Sequence, residues 1–204
     1  QISNFIDSIN KPFILFHMGM DINSSDMMSP LNYRSFKIWS IQRWQEIVDK
    51  LSDKYQFVQV YSNQFNPELK NTLSVKVDNL NPVLQLLEHK KCKFFLSVDT
   101  YLPHLAAAIK KPGIVMWMGG GSPFIWGWKK EWHKINHHHV FNLHSCEIMF
   151  CRRPGHFDTD NSGRSWICDR DYNCGKSITV GQILNEVEKL EFELENSNNS
   201  QISL

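Results

Sequence analysis

Short apolar runs alternate along this chain with stretches of helical periodicity, and that alternation constrains the fold more than any other feature. Residues 13–17 (Phe-Ile-Leu-Phe-His), closed by Gly19, suit a buried strand. After Ser40, Ile41, Trp44, Ile47, Val48 and Leu51 recur at spacings of three and four, the pattern of a helix. Residues 57–61 form the next strand-like run and 73–77 a weaker one. Asn81-Pro82 reads as a helix start, an N-cap followed by Pro at the first helical position, and that helix runs to about His89. A strand is expected at 93–98, a short helix at 102–109 and another strand at 113–118. Strands separated by helices of this length need crossover connections, so the pattern predicts an α/β fold: a Rossmann-like parallel sheet domain.

The regularity breaks at Gly119. Residues 119–174 read as loop-rich, dense in Trp, His, Cys and Arg, with a strand expected at 140–143. Thr179-x-x-Gln182 has the form of a capping box and opens a last helix through Ile183, Val187 and Leu190. The expected organisation is a Rossmann-like domain over 1–125, an irregular Cys-rich insert over 126–178, a closing helix over 179–194 and a polar, disordered tail over 195–204. The chain opens on Gln1 rather than Met and reads as part of a longer protein.

Composition excludes several classes. Lys and Arg number 22 against 21 Asp and Glu, a net charge of +1 that gives no electrostatic footprint for nucleic acid. No apolar run approaches the roughly 18 residues of a membrane span, and none resembles a secretory signal, so a cytoplasmic location is expected.

In open α/β sheets ligands sit at the carboxyl ends of the strands, where helix N-termini point N–H groups at anions. The stretch 97–108 (Ser-Val-Asp-Thr-Tyr-Leu-Pro-His-Leu-Ala-Ala-Ala) places Asp99 and Thr100 at a strand end and His104 at the start of a small-residue helix. Asp99 suits sugar hydroxyls, and Thr100 and His104 suit phosphate oxygens. An ordinary strand-turn-helix with Asp99 as the cap reads equally well from spacing alone.

Those residues carry a resemblance. Asp99-Thr100 with His104, Ala106-Ala107, Lys111-Pro112 and Gly119-Gly-Gly-Ser-Pro123 resemble the C-terminal half of glycosyltransferase family nine, the ADP-heptose heptosyltransferases, whose GT-B fold has two Rossmann-like domains. His17-Met-Gly19 and Lys37-Ile-Trp39 resemble the first strand-loop of that domain. The resemblance implies that Lys37, Thr100 and His104 hold the diphosphate of a nucleotide sugar, Asp99 its sugar, and Glu68, beyond the strand ending at Tyr61, its ribose. A solvated loop lysine and two apolar anchors, Trp39 and Trp44, are the plainer readings of that stretch. The family's catalytic base is an acidic residue of an N-terminal domain outside this chain. No catalytic residue is therefore assigned here, and the fragment alone is expected to bind a donor without turnover. Tyr101 stands where the family usually has Gly, and Pro103 removes an N–H donor.

Four of the five cysteines fall in the insert, as Cys146-x4-Cys151-x16-Cys168-x5-Cys174. Two close pairs across a longer loop suit one tetrahedral metal, iron or zinc, with disulfides as the rival arrangement. The context of Cys146, of Trp166-Ile-Cys168 and of Cys174 is similar to the iron-binding finger of bacterial autotransporter heptosyltransferases, which modify proteins. Cys92 reads as a buried core residue. His137, His138 and His139 point to alternate faces of an extended segment, so they cannot all bind one ion, and with His133 and His144 nearby a surface or packing role is preferred for them. Trp126, Trp128 and Trp132 suit a carbohydrate or acceptor platform or packing within the insert.

The sequence thus supports the donor-binding domain of an inverting glycosyltransferase that moves heptose or a related sugar to a protein or lipopolysaccharide hydroxyl. Its expected partners are the nucleotide diphosphate sugar, the acceptor and the N-terminal GT-B domain, with homo-oligomerisation left open. The alternative is a catalytically silent assembly module with a four-cysteine metal site, in which Tyr101 and Pro103 have closed the donor pocket. A third reading, a nucleic-acid-binding finger, is weakened by the neutral charge.

Overall fold

The computed structural model describes residues 2–19, 39–61, 68–118, 121–145 and 173–202. The apolar runs become six parallel strands: β1 (Phe13–His17), β2 (Gln56–Tyr61), β3 (Thr72–Lys76), β4 (Cys92–Val98), β5 (Gly113–Met116) and β6 (His137–Val140). They lie in the order β3-β2-β1-β4-β5-β6, every neighbouring pair parallel. The described helices are α1 (Ile2–Asp7), α2 (Ile41–Leu51), α3 (Asn81–Glu88), α4 (Tyr101–Ala108), α5 (Pro123–Trp126), α6 (Lys130–His133), α7 (Asn173–Ser177) and α8 (Val180–Ile202).

Both faces of the sheet are covered, which is why its central strands read as continuous apolar runs rather than alternating ones. On one face Ile14, Phe16, Phe94, Leu96, Ile114 and Met116 meet Trp44, Ile47 and Val48 of α2 and Ile183, Val187 and Leu190 of α8. On the other Phe13, Leu15, Val58, Phe95 and Val115 meet Val83, Leu86 and Leu87 of α3 and Leu102 and Ala106 of α4. The β1–β4 register slips between Phe13 and Ile14, which pair with Cys92 and Phe94 and leave Lys93 exposed in the bulge. Cys92 is buried as expected, and burial pushes its thiol up to about 11.

Gly113 is fixed by close approach. A Cβ there would lie 2.2 Å from the Phe95 ring on the neighbouring strand, and through this gap Phe95 reaches His137 on β6, ring centroids 4.9 Å apart.

Several expectations shift. The strand expected at 140–143 is His137–Val140, so part of the segment read as an irregular insert is an edge strand of the same sheet. The strand expected at 113–118 ends at Met116, although the Trp117 N–H still bonds the Val140 carbonyl. Asn81 is the first helical residue rather than the cap; its N–H is taken by the side chain of Asn79 at 3.0 Å. The N-terminal helix α1 was not legible from its short sequence. The last helix does not close at 194 but continues to Ile202, where a disordered tail was expected. The stretch holds no Pro or Gly, and once a packed helix has nucleated, each further residue adds a hydrogen bond at little cost. The capping box forms as read: the Thr179 N–H donates to Gln182 Oε1 at 2.8 Å and the Gln182 N–H to Thr179 Oγ1 at 3.2 Å.

Candidate functional site

From β1 the chain builds outward to β2 and β3, then returns to the other side of β1 for β4, β5 and β6. The β1–β4 junction is therefore the topological switch point, and the crevice beyond its carboxyl ends is where such sheets take ligands. His17 ends β1 and lies in register with Ser97 of β4, whose hydroxyl donates to the Val98 carbonyl at 2.7 Å.

Asp99 follows β4 directly. Its N–H donates to the Met116 carbonyl at 3.1 Å, which pins the turn to β5. The residue is 9% exposed, and its carboxylate lies against Gly121, where a Cβ would sit 2.1 Å from Oδ2. Gly121 is thus needed for the carboxylate to stand there. Thr100 occupies the N-cap position of α4 in extended backbone without a side-chain capping bond, and its hydroxyl is 3.2 Å from that of Ser97. Asp99 is therefore not the helix cap, and the plain capping reading is corrected. His104, exposed on the first turn of α4, accepts the Trp128 indole N–H on Nδ1 at 3.1 Å. Asp99 and Thr100 thus lie between the end of β4 and the start of α4, and His104 lies in the first turn of that helix.

The other candidates are placed differently. Glu68 is exposed on the stretch entering β3, beside Leu69, whose carbonyl takes the Thr72 hydroxyl at 2.8 Å. Strands β2 and β1 separate β3 from β4. Lys37 lies outside the described residues, as do Cys146, Cys151 and Cys168. Cys174 is described, buried in α7 against the α2–α8 face. Among the described residues no group of three or more His, Cys, Asp or Glu is placed to hold a metal.

Trp39 and Trp44 are the apolar anchors of the plain reading, both fully buried, and the Trp39 indole donates to the Ile178 carbonyl at 3.0 Å. Arg43 donates to the Lys176 and Ile178 carbonyls at 2.8 and 2.7 Å, which ties the α7–α8 turn to α2. The three histidines alternate as expected. His137 and His139 face the α4 side, and His138 faces Glu186 of α8 at 2.8 Å. Trp126 and Trp132 are exposed with Phe124 and Ile125, and the Lys129 ammonium sits 4.2 Å over the Trp132 ring.

Two features escaped the sequence. Tyr101 packs its ring edge-on to His17, centroids 5.1 Å apart, across the switch point. Trp128 reaches His104 from a segment with no periodicity to announce it. A tryptophan among glycines and lysines was its only signal.

No curated protein matches the chain. Solved structures do. An ADP-heptose lipopolysaccharide heptosyltransferase II from E. coli superposes with a TM-score of 0.58 at 19% identity, over 95% of this chain and 51% of that one. The iron-containing dodecameric glycosyltransferase TibC from enterotoxigenic E. coli H10407 gives 0.61 at 20% identity, over 92% and 48%. A family 9 glycosyl transferase from Veillonella parvula DSM 2008 gives 0.60 at 16%, over 94% and 49%. Likeness at such identities speaks for the fold, and the chain spans about half the length of these structures. No helix among the described residues is long and apolar enough to cross a membrane. Residues 27–137, more than half of the chain, match the sequence pattern of one family, and the chain belongs to glycosyltransferase family 9 (heptosyltransferase).

Proposed function

We propose that this chain is the donor-binding half of an inverting GT-B glycosyltransferase that transfers heptose or a related sugar from a nucleotide diphosphate sugar to a protein or lipopolysaccharide hydroxyl. The observation that supports the reading is the position of Asp99 and Thr100 at the end of β4, on the switch point, with the Asp99 carboxylate seated on Gly121 and His104 following in the first turn of α4. Family membership supports it, as do two structural neighbours, the E. coli heptosyltransferase WaaC solved with ADP and TibC solved with ADP-D-beta-D-heptose.

In this reading Asp99 accepts hydrogen bonds from sugar hydroxyls. Thr100, His104 and the N-terminus of α4 bind the diphosphate, Lys37 adds a positive charge, and Glu68 meets the ribose. An acidic base from the N-terminal domain takes the acceptor's proton. The acceptor oxygen attacks the anomeric carbon from the face opposite the diphosphate, which leaves with the bonding electrons. The donors around it stabilise that developing charge, the largest single contribution such a site can make. Cys146, Cys151, Cys168 and Cys174 would hold one structural iron or zinc; TibC is itself iron-containing.

The test is titration of the metal-replete chain with ADP and with ADP-heptose, beside Asp99→Ala. Binding of both, with the sugar's added affinity lost in the variant, is expected. The silent-module reading is favoured by the Tyr101 ring lying across the switch point against His17. It gains if neither ligand binds, with or without the N-terminal half present, and if Tyr101→Gly restores ADP binding.

A further inference from the structure

A chain of hydrogen bonds runs from the end of β5 to His104. The Trp117 indole N–H donates to His139 Nδ1 at 2.9 Å. An indole nitrogen only donates, so His139 Nδ1 carries no proton and the imidazole holds its hydrogen on Nε2. That Nε2–H donates to the Trp128 carbonyl at 2.9 Å. Burial holds His139 below the ordinary histidine range, in keeping with a neutral ring. The backbone leading to Trp128 is closed down on this histidine: a Cβ on Gly127 would lie 3.1 Å from His139 Cε1 and 2.4 Å from the Pro123 carbonyl. The Trp128 indole in turn donates to His104 Nδ1 at 3.1 Å, and its ring is met edge-on by His133, centroids 5.3 Å apart. His133 is itself fixed, its Nδ1 accepting the Lys129 N–H at 2.9 Å.

The same donor logic applies at the end of the chain. With Nδ1 occupied by an indole N–H, His104 keeps its proton on Nε2, the nitrogen on the far side of the ring. An exposed side chain would otherwise sample two tautomers and several rotamers, and ordering it in advance removes that cost from ligand binding.

We propose that Trp128 and His139 are positioning residues that hold His104 as a neutral Nε2–H donor aimed at a phosphate oxygen of the nucleotide sugar. This rests on the donor-site reading above. It assigns His104 the role of an uncharged hydrogen-bond donor rather than a cation or an acid, and leaves positive charge at the diphosphate to lysine.

The experiment pairs two readouts at neutral pH: the imidazole nitrogen NMR spectrum of His104 and the affinity for ADP. Wild type should show Nε2–H. Trp128→Phe keeps an aromatic ring but loses the donor; it should give mixed tautomers and weaken ADP binding about three- to tenfold, the worth of one ordinary hydrogen bond. His139→Leu should move both readouts the same way. His139→Gln, whose amide can still donate to the Trp128 carbonyl, should restore them, which a merely structural role would not predict. An Nδ1–H signal in wild type, or Trp128→Phe with unchanged tautomer and affinity, overturns the inference while the donor-site reading stands. Failure of wild type to bind ADP, even with its N-terminal half present, overturns the donor-site reading and this role with it, whatever the tautomer.

Discussion

Strands β4 and β6 belong to one parallel sheet but are held in opposite ways. In β4 every residue except Lys93 is buried, and Phe94, Leu96 and Val98 all lie in the α2–α8 core. In β6, His137-His138-His139-Val140, three imidazoles each have a separate polar partner: the Lys111 carbonyl at 3.1 Å, Glu186 at 2.8 Å and the Trp128 carbonyl at 2.9 Å. Apolar burial is non-directional and tolerant of its neighbours. Imidazole bonds are directional and depend on protonation. The interior strand should therefore fail through lost volume and the edge strand through pH.

The largest effect is expected where volume alone counts. Phe94 is fully buried and stacks edge-on with Tyr55, centroids 5.7 Å apart. Phe94→Ala should cost about 3–5 kcal/mol, enough to threaten a marginally stable domain, and urea unfolding followed by tryptophan fluorescence would show it. A loss below about 1 kcal/mol would mean that β4 is not the central strand of the folded chain.

The contrast also accounts for what could be read in advance. Strands β1, β2 and β4 were legible because buried parallel strands write themselves as unbroken runs such as Phe13-Ile-Leu-Phe-His17. Strand β6 was expected three residues too late, because a triplet of histidines has no apolar signature; its packing depends on Phe95, Trp117 and Trp128, which are distant in sequence. Asp99, Thr100 and His104 were legible as a strand-end motif because they sit within six residues of one another in the chain. The Trp128–His104 bond and the Tyr101–His17 contact link separate segments, and no spacing rule encodes such pairs. The end of α8 was missed for a different reason: a polar composition signals disorder only where no packed helix precedes it.

The second effect separates the two strands by pH. Burial pushes the His137 imidazole down to about 3, with the bond to the Lys111 carbonyl acting the other way. An unfolded histidine titrates near about 6.5, so between these values the unfolded chain binds a proton that the folded chain refuses. Stability is then fully present above pH about 6.5 and falls as the pH drops, by up to about 1.4 kcal/mol per unit, or about 2 kcal/mol near pH 5. His139 is shifted the same way by burial and adds to the slope. Urea midpoints for wild type and His137→Phe across this window would check it. The variant should show a visibly flatter profile, and an unchanged slope would mean that His137 is not buried on the sheet edge.

The smallest effect concerns the join between the β6 side and α8, where a device legible in the sequence serves a contact that was not. Gln182 accepts the Thr179 N–H on Oε1, as a capping box requires, and uses its amide nitrogen to donate to Asn142 Oδ1 at 2.7 Å. Asn142, just beyond β6, donates in turn to the Ser177 carbonyl at 2.7 Å. Thr179→Ala removes only the cap and should cost about 1 kcal/mol. Gln182→Glu keeps an acceptor for Thr179 and adds negative charge at a helix N-terminus, which the macrodipole favours. It loses the short Nε2 donation to Asn142 Oδ1 and sets a carboxylate oxygen there, keeping only an acceptor for the longer bond from Asn142 Nδ2, 3.4 Å. If capping is all that Gln182 does, Gln182→Glu should match or exceed wild-type stability in thermal unfolding. If the clasp to Asn142 matters, it should fall below wild type by about 0.5–1.5 kcal/mol, and Asn142→Ala should remove most of that difference. The clasp is the expected result, because α8 covers the face of β5 and β6 and Asn142 is where the edge strand's loop is tied to it.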